Sequence, residues 1–146
     1  MYPIFNIRVY GLLINTKNEV LTTNEFRFGK EMTKFPGGGL HFGEGTIECV
    51  KREFREELGC EIEIVRHFYT TDFFQASAFH ADHQLISIYY IVKGQTPALS
   101  GEKIKLSKEG EQVFYWVSLD KIHEDDFTFP IDKKVAGMLS NYSKSG

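Results

Sequence analysis

The sequence predicts a single α/β or α+β domain covering residues 1–146. Three observations carry this expectation. Strand-like runs are interleaved with two helical stretches rather than segregated from them. A dense breaker, Pro36, Gly37, Gly38 and Gly39, separates the N-terminal strands from the first helix. The length suits one hydrophobic core, and 42% hydrophobic with 25% charged residues is ordinary for a globular chain.

In chain order, residues 5–14 read as a strand, Lys17 and Asn18 as a turn, and residues 19–23 as a second strand, together suggesting a hairpin. Residues 24–34 are polar and mixed and read as a loop. Thr46 is a reasonable N-cap for a helix running to about Leu58. Ile47, Val50, Phe54 and Leu58 recur at helical spacing as its buried stripe, and Gly59 is placed to end it. Strand-like stretches follow at 61–69, 84–92 and 112–117. Residues 132–142 read as a C-terminal helix with Val135, Met138 and Leu139 on its apolar side.

The chemistry concentrates on the first helix. Glu53, Glu56 and Glu57 stand at i, i+3 and i+4, which puts three carboxylates on one face. Glu53 and Glu57 repel one another across a turn, near a helix C-terminus that disfavours anions. A divalent cation would turn both penalties into a reason for the arrangement, because Mg²⁺ takes one or two carboxylates and leaves its other positions to water and phosphates. A solvated acidic face, with Arg52 pairing Glu56, is the plain alternative for three glutamates taken alone. The glycine-rich turn and Glu44 just upstream weigh against it, since such a loop brings backbone polar groups close to an anion or metal without Cβ obstruction.

Read from Gly38, five residues lead to Glu44 and seven more to Arg52, Glu53, Phe54, Arg55, Glu56, Glu57, Leu58, Gly59 and Cys60. This resembles the Nudix box of the MutT-like hydrolases, G-x5-E-x7-R-E-U-x-E-E-x-G-U, where U is a bulky aliphatic residue. Every fixed polar and glycine position matches. Phe54 and Cys60 depart at the two U positions but stay apolar. The resemblance implies an α/β/α sandwich with a central mixed sheet, and a Mg²⁺-dependent hydrolase (Mn²⁺ a possible substitute) that cleaves a diphosphate linkage in a nucleoside diphosphate derivative or nucleoside triphosphate. It further implies Glu56 and Glu57 as principal metal ligands, Glu53 as a further ligand or the base for the attacking water, and the Gly38 carbonyl as a backbone ligand. Arg52 would hold Glu53, while Glu44, Gly37, Gly39 and Gly59 would shape the loop and helix. An extra glutamate ahead of the Trp116 strand fits Glu111 best, with Glu109 as the alternative.

Substrate contacts are less legible. Relatives often carry a basic residue at the end of the second strand, where this chain has Leu21, Thr22, Thr23 and Asn24; Arg27, Lys30 and Lys34 are nearby substitutes. The aromatic residues Phe73, Phe74 and Phe79 and the histidines His41, His80 and His83 mark the box and a loop at 76–83 as further candidates, with Phe74 and His83 foremost. Two other readings stand beside the hydrolase: a nucleotide-sensing or binding module without turnover, and an isomerase acting on a prenyl diphosphate, which would need an active-site cysteine. The net charge of −3 gives no basic field for nucleic acid or an anionic membrane. Asn6 and Arg8 interrupt the N-terminal apolar run, so no secretory signal is expected. Cys49 and Cys60 fit a reducing compartment, and a cytoplasmic protein, monomer or homodimer, is the expectation.

Overall fold

Residues 9–13 are buried without interruption, although successive strand side chains point to opposite faces. A strand of this kind is covered on both sides and reads as an apolar run rather than an alternation. It is the second half of β1 (Ile4–Leu13) in the computed structural model, which describes residues 2–97, 99 and 103–145. The described residues are α+β, as the sequence predicts, and divide into two compact units.

The first unit takes the chain up to Leu12 together with Gly37–Gln95. It holds a four-stranded sheet in the order β4 (Gly37–Gly39), β1, β6 (His83–Gly94), β5 (Ile62–Thr70), with helix α1 (Thr46–Leu58). β4 runs antiparallel to β1 with Gly38 opposite Val9, and β5 runs antiparallel to β6. Gly11 lets α1 approach the sheet. A Cβ there would lie 2.5 Å from the Phe54 ring and 3.2 Å from Val50, both of which are buried.

The second unit takes Leu13–Pro36 and the chain from Thr96 on. Its sheet has the order β3 (Lys30–Lys34), β2 (Glu19–Arg27), β7 (Gln112–Ser118), all antiparallel, followed by helix α2 (Pro130–Ser145). Leu21, Phe35, Leu119, Val135 and Leu139 are among its buried apolar residues, and Phe35 stacks on Phe127 at 4.4 Å between ring centroids. Among the described residues no helix is long and apolar enough to cross a membrane.

Four expectations are corrected. β1 and β2 do not form a regular hairpin, because they belong to different sheets and their pairing stops at a single bridge, Ile14 to Val20. There the Asn15 side chain accepts from the amides of Lys17 and Glu19, and Asn18 turns through φ 61°. The stretch 24–34 is not a loop but a hairpin. Phe28 and Gly29 both have positive φ, the signature of a tight two-residue turn, and the buried polar residues are paired: Asn24 with the Ile104 carbonyl and the Thr33 hydroxyl, Glu25 with Lys34. Gly45, not Thr46, caps α1; the Thr46 hydroxyl is taken by the Tyr90 hydroxyl at 2.7 Å. Finally, Ile47 is exposed and Cys49 takes its place on the buried face. One turn from the helix start, the two lie on different faces.

Candidate active site

Helix α1 begins where the glycine loop releases backbone amides. The Gly45 amide donates to the Glu48 carboxylate at 3.2 Å, and the Cys49 amide closes the first turn on the Gly45 carbonyl. At the other end Gly59 adopts the left-handed conformation, φ 63°, and its amide returns to the Arg55 carbonyl. With both ends fixed, the helix presents Arg52, Glu53, Glu56 and Glu57 along one side, while Phe54 is buried on the other.

Arg52 is the hub. Its Nε donates to Glu44 Oε2 at 3.0 Å and its Nη2 to Glu44 Oε1 at 2.8 Å, a two-pronged pairing that matches the planes of both groups. The same Nη2 reaches the Gly39 carbonyl at 3.1 Å. Nη1 donates to Glu53 Oε1 at 3.1 Å and to Glu56 Oε2 at 3.0 Å. One guanidinium thus joins the glycine strand, the loop and two helical carboxylates. Glu44 also accepts from the His41 amide at 2.9 Å, which shapes the loop between β4 and α1. Arg52 chiefly, and then the His41 amide, hold the Glu44 carboxyl down at about 2. The glutamate in turn pushes the Arg52 guanidinium still higher than usual.

Gly38 completes the centre. A Cβ on it would fall 2.5 Å from Glu53 Oε1 and 2.7 Å from Oε2, so the carboxylate lies directly over a backbone only glycine can offer. Gly37 has φ 154° and its missing Cβ would strike β1 at Val9 and Tyr10; Gly39 sits opposite Arg8. Glu56 and Glu57 are exposed further along the helix. Among the described residues no three His, Cys, Asp or Glu side chains are gathered closely enough to coordinate one ion. Arg52 pairs with Glu44, Glu53 and Glu56, so its single positive charge is shared among three carboxylates. The donor set nonetheless suits a hard divalent cation, since it offers carboxylate and carbonyl oxygens with Glu53 laid against an unobstructed Gly38.

Glu111, at the start of β7 in the second unit, accepts from the amides of Ser107 and Lys108, at 3.1 Å and 2.6 Å. Glu109 accepts from Phe28 and Gly29 at the β2–β3 turn, which lowers its pKa. Arg27 and Lys30 flank that turn and are exposed, while Lys34 pairs with Glu25 at 3.1 Å. Phe74 and His83 come together in the first unit, on one cavity. Residues 76–83 form a tight connection, bridged at Ala76 and Gln84, and His83 is the first residue of β6.

Cys49 and Arg8 were not among the site residues the sequence predicts. Cys49 Sγ lies 3.5 Å from the Gly39 carbonyl and 3.8 Å from Arg52; burial, then Glu44, push its thiol up to about 12. Burial raises Cys60 as well. Neither thiol is poised for the nucleophilic or acid–base role an isomerase would ask of it. Arg8, half-buried on β1 opposite Gly39, was discoverable as a charge set in an apolar strand.

Two RNA pyrophosphohydrolases are similar to this chain. That of Orientia tsutsugamushi (strain Boryong) is 33% identical over 61 residues, which are 42% of this chain and 38% of that protein. That of Acinetobacter baylyi is 40% identical over 55 residues, 38% of this chain and 32% of that protein. The chain therefore spans about two fifths or less of these relatives' length. Among solved structures, the MutT protein of Methanosarcina mazei Go1 matches with a TM-score of 0.69 at 22% identity, over 99% of both chains. A NUDIX hydrolase from Nitrosomonas europaea matches with a TM-score of 0.68 at 16% identity, over 95% of this chain and 90% of that one. At these identities the structural matches speak for the fold. The NUDIX domain model matches residues 5–136, and the chain belongs to that family.

Proposed function

We propose that this protein is a hydrolase of phosphorus-containing acid anhydrides, cleaving a diphosphate linkage in a nucleoside diphosphate derivative or nucleoside triphosphate with Mg²⁺, or Mn²⁺ in its place. The observation that carries the reading is the Arg52 hub, which joins Glu44, Gly39, Glu53 and Glu56 in one charge-assisted network beside Gly38. The family membership and the relatives named RNA pyrophosphohydrolase support the reaction class.

Glu53, Glu56, Glu57 and the Gly38 carbonyl would hold the cation, with Glu111 a further candidate. When bound it supplies Lewis acidity toward the phosphoryl oxygens and lowers the pKa of water. The protein's own residues do the rest. The Glu53 carboxylate, paired with Arg52 Nη1 at 3.1 Å, is the base best held in position to receive a proton from water. Glu44 and Arg52 keep that carboxylate and the Gly39 carbonyl from drifting apart. Arg27 and Lys30 are the candidates for phosphate contacts.

A panel of nucleotides and nucleotide sugars, incubated with Mg²⁺ or Mn²⁺ and resolved by chromatography, tests the reading. The expected result is cation-dependent release of phosphate, pyrophosphate or a nucleoside monophosphate, and ¹⁸O-labelled water then marks the attacked phosphorus. Tight nucleotide binding with no product from any substrate would favour a sensing module instead.

A further inference from the structure

The outer edge of β1 is covered only in part. β4 pairs with Arg8, Val9 and Tyr10, and the Leu40 amide adds one bond to the Ile7 carbonyl at 2.9 Å. There the chain turns off, and the Glu44 amide donates back to the His41 carbonyl. Ile4, Phe5 and Asn6 run on past β4, and among the described residues no strand pairs with their outer side. Backbone polar groups alternate between the two sides of a strand. The Ile4 amide donates toward β6, to the Asp82 carbonyl at 3.0 Å, whereas the Ile7 carbonyl faces β4. Phe5 therefore turns both its N–H and its C=O to the open edge, and Pro3 turns its carbonyl the same way.

An open strand edge is a template for another strand unless something protects it. The far edge of this sheet is protected. β5 carries the exposed charges Glu63 and Arg66, and its register against β6 shifts twice, between Ile64 and Arg66 and between His67 and Tyr69. Nothing comparable guards β1, because residues 2–7 hold no charged side chain. Apolar surface gathers there instead. Tyr2, Ile4, Phe5 and Phe74 are 86%, 50%, 66% and 71% exposed, and the last three line one cavity with Pro3. At about 200 Å² for an open aromatic side chain, the four leave roughly 500 Å² of apolar surface in water. That is roughly two thirds of the ~800 Å² one partner contributes to a standard interface, before any backbone is counted.

We propose that the protein is a homodimer joined edge to edge through residues 2–7 of β1. A second copy answers the edge in its own terms. Turned antiparallel about a two-fold axis beside Ile4, each Phe5 amide meets the carbonyl of the partner subunit's Pro3, the one backbone group a proline offers. Ile4 then faces its own copy in a pair without hydrogen bonds, which agrees with an amide already given to Asp82. Tyr2, Phe5 and Phe74 lose their exposure to water in the same contact.

Sedimentation velocity over a concentration series, with cysteine cross-linking, tests the proposal on the full chain. A species of twice the chain's mass is expected at micromolar concentration. Phe5→Asp puts charge on the edge and should raise the dissociation constant at least tenfold with an unchanged circular dichroism spectrum. Ile4→Cys should form a covalent dimer under mild oxidation, because a pair of this kind holds its Cα atoms about 4.5 Å apart, within disulfide range. The native Cys49 and Cys60 are buried and do not compete. Val65→Cys, exposed on β5, should stay monomeric under the same oxidation. A monomer up to millimolar concentration, a dimer indifferent to Phe5→Asp, or cross-linking at Val65 in place of Ile4 overturns the proposal. Should Phe5→Asp unfold, the Ile4 cross-link decides alone.

Discussion

Arg52 shows how a single residue can hold a site that has no other internal symmetry. Its pairing with Glu44 is short, two-pronged and half-buried, and charge-assisted hydrogen bonds of that geometry are the strong ones. Because Glu44 is held at about 2 in the folded chain and titrates near 4.5 when free, it contributes stability above pH 4.5. That contribution is lost as the pH falls from about 4.5 through about 2. Urea unfolding at a series of pH values should show a steeper decline in this window for the parent than for Glu44→Gln; superimposable slopes would remove the pairing from the account. Arg52→Lys keeps the charge but not the fork. It should cost about 10- to 100-fold in activity or cation affinity, in line with losses at residues that orient ligands without coordinating. At Cys49 the raised thiol pKa predicts no reaction with a thiol-specific reagent at pH 8 until the protein unfolds. Rapid labelling of folded protein would mean that the helix does not sit on Gly39 as described.

At the scale of elements, α1 against β1 is the joint that matters. Gly11 leaves the space Phe54 and Val50 occupy, so Gly11→Ala should destabilise the fold by about 1–3 kcal/mol through overpacking and move the glutamates with the helix. Gly11→Ala combined with Phe54→Leu should recover part of the loss, measured by thermal unfolding and by activity together. Gly11 drew no attention in the sequence, because a lone glycine in a strand is common, and Cys49 was read there only as a thiol of a reducing compartment. The charged ladder Arg52, Glu53, Glu56 and Glu57 was legible because helical spacing alone sets which side chains share a face. The β2–β3 hairpin was illegible for the opposite reason. Its polar residues, Asn24, Glu25 and Thr33, are buried on partners far along the chain or across the strand, and Phe28 takes a conformation usually left to Gly or Asn.

For the whole molecule, both helices and the strands other than β3 and β4 followed from apolar patterning and breakers, so the α+β class was readable from the sequence. The sheet order was not. That β1 joins β4 and β6 while β2 joins β3 and β7 depends on which buried faces fit together, and periodicity carries no information on that choice. The substrate is the other quantity patterning does not encode, since the candidate contacts Arg27 and Lys30 flank the Phe28–Gly29 turn and Phe74 and His83 line a cavity at the start of β1. The central claim is that the glutamates of α1 act together on a cation. The most direct test is Glu57→Gln, assayed for product release from a responsive nucleotide across a Mg²⁺ titration, with circular dichroism as the control for folding. Cation-dependent turnover should fall to the background seen without Mg²⁺ while the spectrum stays unchanged; parent-level turnover in that folded variant would contradict the account.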